Sequence, residues 1–255
     1  MKDQLDALIP IFYKDKNGEN FEHIGTGVFI FFRGFYFILT AAHVIDELED
    51  GDLLVPIEDD TIQYIEGAYS YYSPGGNRND DLIDVGYYKL DSKFAESLLS
   101  QFTPILETEI HFSKEFPEMS LFSISGYPHR KSKIRNGIAK TEVFSFGAYQ
   151  ASISDYKRLN CFQKPNIVAK FNRKKTIDPE TKVKNISVLP HGVSGGAFFI
   201  WPQKIAELPP KNRKLVGIAH TFKEKEDLFI GTNIILVLQF ILRNNPELNV
   251  AQQVD

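Results

Sequence analysis

One stretch of the chain reads Leu189-Pro190-His191-Gly192-Val193-Ser194-Gly195-Gly196-Ala197-Phe198-Phe199, with a serine between glycines and an apolar run after it. A serine hydroxyl is a poor nucleophile at neutral pH, so it needs a base that takes its proton and donors that hold the negative charge on the attacked oxygen. Because glycine adopts backbone angles closed to other residues, Gly192 allows the N–H groups of Gly192 and Ser194 to point into one small space. We therefore predict that these two groups form an oxyanion hole.

The same stretch has a plainer interpretation, a glycine-rich turn before a buried strand, since short glycine motifs recur by chance. Two upstream motifs bear on the choice. A histidine follows an apolar strand in Thr40-Ala41-Ala42-His43-Val44, and an acid opens an apolar run in Asp84-Val85-Gly86-Tyr87-Tyr88-Lys89-Leu90. A histidine that titrates near neutral pH and a carboxylate that orients it are the two groups that a nucleophilic serine requires.

The three motifs, in this order, resemble those of the trypsin-like, chymotrypsin-fold serine peptidases, whose patterns are T-A-A-H, D-[ILV]-A-x-x-[KR]-[LV] and G-x-S-G-G. The first and third stand unaltered, Gly86 replaces the alanine of the second, and the likeness extends over nearly the whole chain. The resemblance implies an all-β fold of two antiparallel β-barrels of chymotrypsin type with a C-terminal helix. It implies an N-terminal barrel in residues 1–110 and a C-terminal barrel, followed by the helix, in residues 111–255.

The resemblance also implies a role for each residue of the three motifs. His43 is expected to act as general base and then acid, Asp84 to orient it, and Ser194 to attack the substrate. The residues leave simpler alternatives open. His43 is also compatible with a partly buried histidine that opens a short helix, and Asp84 with an acid of a turn or edge strand.

Local patterns predict the same class of fold. Arg33-Gly34 is typical of a tight turn between two strands, and short apolar runs separated by turn residues are typical of a barrel or sandwich. Near the C-terminus, apolar residues recur at helical spacing in Ile234, Val237, Leu238 and Ile241, and Pro246 follows soon after.

A second enzyme class shares part of the serine motif, because residues 192–196 also satisfy the G-x-S-x-G pattern of the α/β-hydrolases. That fold requires the order serine, acid, histidine. The only histidine after Ser194 is His220, and no alternation of strands with long helices precedes the serine. This interpretation therefore fails on order and on architecture.

Composition limits the partners and the location. The 255 residues are 43% hydrophobic and 24% charged, which is typical of a globular protein, and the net charge of −4 argues against binding to nucleic acid or to an anionic membrane. A single cysteine, Cys161, allows no intrachain disulfide and favours a reducing compartment. No signal sequence or membrane-spanning apolar run is visible in the sequence, so we expect a cytoplasmic protein of a bacterium.

We expect no cofactor and no metal. His43, His191 and His220 invite a metal interpretation, but their spacing is not of the zinc type and no acidic ligands accompany them. Basic residues cluster in residues 129–140 and 170–175 without alternating aromatic residues, which favours solvated loops over a nucleic-acid surface.

The substrate pocket is predicted from the resemblance alone. Its floor is expected at Val188, with Ser187 or Leu189 as the alternatives if the loop lengths differ, and its walls at Ala219, His220, Gly231 and Thr232. In glutamate-selective relatives a histidine stands two residues after the glycine of the cleft strand, whereas His220 stands three residues after Gly217. On a strand this change turns the side chain to the opposite face, so His220 is expected beside Asp84. The pocket should then accept uncharged side chains such as Leu, Val, Met or Ala.

Two hypotheses on function follow. In the first, the chain is a serine endopeptidase that hydrolyses a protein or peptide through an acyl-enzyme, is intracellular, and is controlled by a regulatory protein partner. In the second, it is a catalytically silent module that keeps the fold and binds a protein or peptide in the cleft. Gly86, and Ala197 where many relatives have proline, keep the second hypothesis open.

Overall fold

The computed structural model describes residues 3–57, 61–75, 81–117, 119–135, 138–173, 176–177, 184–201 and 213–249. They form two curled β-sheets that share a core, with few helices.

The first sheet is built from the N-terminal half of the chain. Its strands are β1 (Leu8–Asp15), β2 (Phe21–Phe32), β3 (Phe35–Thr40), β4 (Gly51–Pro56), β5 (Ile62–Tyr64), β6 (Gly67–Tyr71), β7 (Gly86–Leu90) and β8 (Ile105–Leu106). They lie in the order β5-β4-β1-β2-β3-β7-β6, and β8 adds to β2 as a parallel strand. The antiparallel sheet curls into an open half-barrel around buried side chains such as Ile9, Phe29 and Ile38.

The β2–β3 hairpin turns at Arg33 and Gly34, as the sequence predicts. Arg33 has a φ of 52° and Gly34 a φ of 83°, the pair of positive angles that a two-residue hairpin turn needs to match the twist of its strands. The hairpin delivers β3 to Thr40, directly before the histidine motif.

The second sheet closes into a barrel. Its strands are β9 (Leu121–Gly126), β12 (Phe144–Gln150), β13 (Asn166–Lys170), β16 (Ala197–Ile200), β17 (Lys214–Lys223) and β18 (Leu228–Asn233), in the order β12-β13-β18-β17-β16-β9. Two small hairpins stand outside it, β10 (Ser132–Arg135) with β11 (Ile138–Thr141) and β14 (Thr176–Ile177) with β15 (Lys184–Asn185).

Helices in the described residues are short. They are α1 (Ala42–Asp46), α2 (Ser92–Leu98), α3 (Ile153–Arg158) and α4 (Ile234–Asn244). Further 3-10 turns occur at Gln4–Ala7, Glu47–Glu49, Glu107–Glu109, His129–Lys131, Glu224–Glu226 and Pro246–Asn249.

The C-terminal helix α4 is the element that the apolar spacing predicts. It begins after Asn233, whose side chain accepts the N–H of Ile235 at 2.9 Å. The four apolar residues of its stripe are buried in a core cluster that draws residues from both sheets, including Leu39 and Phe199. Each such side chain contributes about 2 kcal/mol by leaving water. The all-β, two-barrel architecture with a C-terminal helix is thus confirmed, while a division of domains at residue 110 stays a prediction.

Candidate active site

His43 and Asp84 form a hydrogen-bonded pair. His43 lies in the first turn of α1, and Asp84 stands two residues before β7, which pairs with the strand that leads into α1. The Oδ2 atom of Asp84 is 2.6 Å from Nδ1 of His43, and its Oδ1 atom accepts the main-chain N–H of His43 at 3.1 Å. The histidine is therefore held in both position and orientation by one carboxylate.

The Asp84 carboxylate is buried, with 4% of its surface exposed. Burial alone would raise its pKa, but the hydrogen bond and the positive charge of His43 outweigh burial and lower the pKa to about 2. Behind the carboxylate, the N–H of Asp84 donates to the hydroxyl of Thr232 at 3.3 Å. Asp84 is thus ionised at neutral pH and can stabilise an imidazolium at His43.

Ser194 lies in the same cleft as His43 and Asp84, which has a volume of about 560 Å³. Its hydroxyl donates to the carbonyl oxygen of His220 at 3.0 Å. The structure therefore brings the three residues of the sequence motifs to one cleft, with the serine hydroxyl directed towards β17.

The main-chain N–H groups of Gly192 and Ser194 have no hydrogen-bond partner among the described residues. Val193 donates to Pro190 at 3.1 Å, Gly195 to Ala219 at 2.7 Å, and Gly196 to Val193 at 2.8 Å. Within the described residues, no hydrogen bond engages the N–H of Gly192 or of Ser194. Both residues line the cleft. Two unengaged N–H groups that line one cleft with a serine can serve as donors to an oxyanion.

His129 braces the turn that carries Gly192. The N–H of His129 donates to the carbonyl oxygen of His191 at 2.7 Å. Because the peptide bond is planar and trans, this bond directs the N–H of Gly192 away from His129. Gly192 has a φ of +92°, and a Cβ atom there would lie 2.1 Å from Cδ2 of His129. Glycine is therefore required at this position by both backbone angle and space.

Thr26, on β2, joins the two sheets at the site. Its hydroxyl donates to the carbonyl of Gly192 at 3.1 Å and accepts the N–H of Tyr127 at 2.9 Å, while its own N–H donates to the carbonyl of Ser194 at 2.8 Å. Neither Thr26 nor His129 was assigned a role from the sequence. Both act through main-chain contacts between distant segments, for which a single sequence carries no signal.

His220 lies beside Asp84 and is 5% exposed. Its Nδ1 atom is 2.9 Å from the hydroxyl of Thr221. Burial lowers the pKa of His220 to about 4, although the charge of Asp84 opposes this shift, so the ring is neutral at pH 7.

The cleft wall differs in part from the predicted pocket. Ala219 and His220 line it, but Val188, Gly231 and Thr232 are not among the described residues that do so. Val188 packs against the core of the closed barrel, and Thr232 lies behind Asp84. The described lining consists of Ile24, His43, Asp84, His129, Pro190, His191, Gly192, Val193, Ser194, Ala219, His220, Thr221, Phe222, Lys223 and Phe229.

A search of the described residues finds no group of three or more His, Cys, Asp or Glu side chains arranged to hold a metal ion. The same part of the chain contains no helix long and apolar enough to cross a membrane.

The chain matches no protein-family model and none of the curated proteins. Among solved structures, it is similar to the crystal structure of the protease Anisep from Arthrobacter nicotinovorans, with a TM-score of 0.56 over 91% of each chain. The two sequences are 11% identical. The chain therefore shares its fold with a protease.

Proposed function

We propose that the chain is a serine endopeptidase that uses Ser194, His43 and Asp84. One observation supports the proposal: a serine, a histidine held by a buried carboxylate, and two main-chain N–H groups without a partner among the described residues line one cleft. Each supplies one requirement of acyl transfer, namely a nucleophile, an oriented base and stabilisation of the oxyanion.

The proposed reaction begins when the serine side chain turns from the carbonyl of His220 towards Nε2 of His43. As the Ser194 oxygen bonds to the substrate carbonyl carbon, its proton passes to Nε2, and Asp84 stabilises the resulting imidazolium. The N–H groups of Gly192 and Ser194 hold the oxyanion. The carbon–nitrogen bond then breaks, and the proton on Nε2 passes to the leaving amine. A water molecule, deprotonated by Nε2 of His43, then bonds to the acyl carbon, the bond to the Ser194 oxygen breaks, and the proton returns from Nε2 to that oxygen.

An extended peptide fits the free edge of β17. The neighbouring strand β16 pairs with β17 only over residues 214–218, whereas β17 continues to Lys223. The N–H and the carbonyl of Ala219 bond to Gly196 and Gly195, but in the described part of the chain no strand pairs with the edge of residues 221–223 opposite β18. A polypeptide that adds to this edge as a strand would present its carbonyls to Ser194, which supports a peptide substrate.

The hydrogen bond from Ser194 to His220 supports a second candidate, a peptidase-fold module that binds a peptide without cleaving it. In this arrangement the hydroxyl is engaged by a carbonyl rather than by a base. It also supports a regulated enzyme, in which a protein partner or the substrate releases the hydroxyl towards His43. The intracellular location belongs to the proposal and is supported by the single cysteine.

Digestion of a defined mixture of peptides tests the proposal. Purified wild type should cleave a subset of them, and Ser194→Ala should cleave none while binding the same peptides. Host-cell lysate is added to the digestion as a source of protein partners. If the wild type then binds peptides but cleaves none, the hypothesis of a binding module replaces that of a peptidase. Cleavage that persists undiminished in Ser194→Ala would remove Ser194 from the mechanism.

A further inference from the structure

Two phenylalanine residues line the cleft that contains Ser194. Phe222 belongs to β17 and Phe229 to β18, and the two residues are direct partners across the strand pair. Their ring centroids are 4.7 Å apart, and both rings line the cleft. Part of the cleft wall is therefore aromatic.

These rings are supported from behind. The ring of Phe171 lies 6.0 Å from that of Phe222 and 5.5 Å from that of Phe229, and the ring of Phe146 lies 5.8 Å from that of Phe229. Phe146, Phe171 and Phe229 are each at most 2% exposed. Because interiors are close-packed, the buried Phe229 ring has no empty space behind it into which it could retract.

The glycines of the same strand pair do not enlarge this part of the cleft. A Cβ atom on Gly231 would lie 2.6 Å from the ring of Phe198, and one on Gly217 would lie 2.5 Å from the carbonyl oxygen of Thr232. Both glycines thus serve close packing. Neither Gly231 nor Thr232 is among the described residues that line the cleft.

We propose that Phe222 and Phe229 restrict the residue on the acyl side of the scissile bond to small side chains: glycine, alanine or serine. The inference rests on the proposed peptidase function. Both phenylalanines line the cleft that also holds Gly192 and Ser194, so the side chain beside a substrate carbonyl bound by those two N–H groups would meet the two rings. A leucine or phenylalanine would have to displace packed aromatic side chains.

The restriction is tested with peptides that differ only in the residue on the acyl side of the scissile bond. The value of kcat/KM should be about 100-fold higher for alanine than for phenylalanine, since pocket contacts of this kind discriminate by 10- to 200-fold. In Phe222→Ala the preference should move towards leucine and phenylalanine. Phe222 is the residue to replace because it is only partly buried, whereas loss of the Phe229 ring would leave a cavity in the barrel core.

Phe144→Ala is the matched control. Phe144 is also a partly buried phenylalanine of the same core cluster, but it does not line the cleft. This variant should keep the preference of the wild type. Equal turnover of the alanine and phenylalanine peptides by wild type, or an unchanged preference in Phe222→Ala, would overturn the inference.

A second measurement separates this inference from the proposed function. Peptides that end in alanine or in phenylalanine are bound to Ser194→Ala and followed by calorimetry, which requires no turnover. The alanine peptide should bind Ser194→Ala more tightly than the phenylalanine peptide, and the double variant Ser194→Ala/Phe222→Ala should bind the phenylalanine peptide more tightly. This result supports the restriction even if the wild type is catalytically silent. Equal or tighter binding of the phenylalanine peptide overturns it.

Discussion

Asp84 holds His43 through both carboxylate oxygens, one 2.6 Å from the ring atom Nδ1 and the other 3.1 Å from the main-chain nitrogen. The first contact keeps a proton on Nδ1, so that Nε2 remains the basic nitrogen of a neutral ring. The second fixes the start of α1 relative to β7. One buried side chain thus determines both the tautomer and the placement of the candidate base.

Asp84→Asn should therefore fold and lose activity. The amide oxygen can still accept the main-chain N–H of His43, but the amide NH₂ facing Nδ1 would favour the wrong tautomer, with an expected fall in kcat of about 10⁴-fold. Circular dichroism and steady-state kinetics measure the two effects. Asp81→Asn is the control and should retain activity. If Asp81→Asn is inactive and Asp84→Asn is not, the assignment of the acid is wrong.

Gly192→Ala should impair the oxyanion hole. A Cβ atom at this residue would lie 2.1 Å from Cδ2 of His129 and 2.8 Å from the carbonyl oxygen of Tyr127, at a φ of +92°. The turn must shift, and we expect a loss in kcat of about 10²- to 10³-fold, the effect of removing one oxyanion donor. Gly147→Ala is the control, because nothing lies within 4 Å of a Cβ atom there. Similar kinetics for the two variants would contradict the role of Gly192.

Buried histidines should make the fold sensitive to acid. Burial lowers the pKa of His23 to about 3 and that of His220 to about 4, from an ordinary value of 6.5. At pH values between the lowered pKa of each histidine and 6.5, the unfolded chain binds protons that the folded chain does not. The free energy of unfolding therefore falls as the pH falls. Each group accounts for up to about 1.4 kcal/mol per pH unit. The pKa of Asp84 is lowered from 3.8 to about 2, so its contribution is lost only at more acidic pH.

His23→Phe tests this linkage. His23 is 5% exposed and its ring lies 5.7 Å from that of Phe12, so a phenylalanine suits the surroundings. Urea unfolding at about pH 7 and about pH 5 should show a smaller loss of stability in this variant than in wild type. Replacement of the exposed His191 by asparagine should leave the wild-type loss unchanged. An equal loss in wild type and His23→Phe would exclude a contribution from His23.

The sequence predicts those parts of the molecule that depend on neighbours along the chain. The turn at Arg33 and Gly34 depends on local backbone angles, and the apolar face of α4 depends on helical spacing. Both features can therefore be predicted from the sequence. The histidine and acid motifs likewise identify residues that the fold brings into contact.

Parts of the cleft could not be predicted because they arise from pairing between distant segments. The register of β17 shifts between Ala219 and Thr221, which sets Phe222 opposite Phe229. A single-residue irregularity of this kind leaves no trace in composition or periodicity. The contact between His129 and the turn at Gly192 joins two loops that are distant in sequence, and no local sequence pattern predicts it.

The candidate triad should act as a unit. Ser194→Ala and His43→Ala should each remove nearly all turnover, and the double variant should be little slower than either, because each change abolishes the same step. Single-turnover kinetics on a peptide that wild type cleaves measure the three losses. Losses that multiply in the double variant would show that the two residues act independently.

Labelling by a fluorophosphonate probe, followed by mass spectrometry of the modified peptide, tests most directly whether Ser194 is an activated nucleophile. The probe reacts with a serine hydroxyl whose proton is taken by a neighbouring base, and it needs no knowledge of the substrate. Wild type should be modified at Ser194, His43→Ala should react much more slowly, and Ser194→Ala should not react. Folded wild type that remains unlabelled, or that is labelled at another residue with Ser194 untouched, would contradict the account.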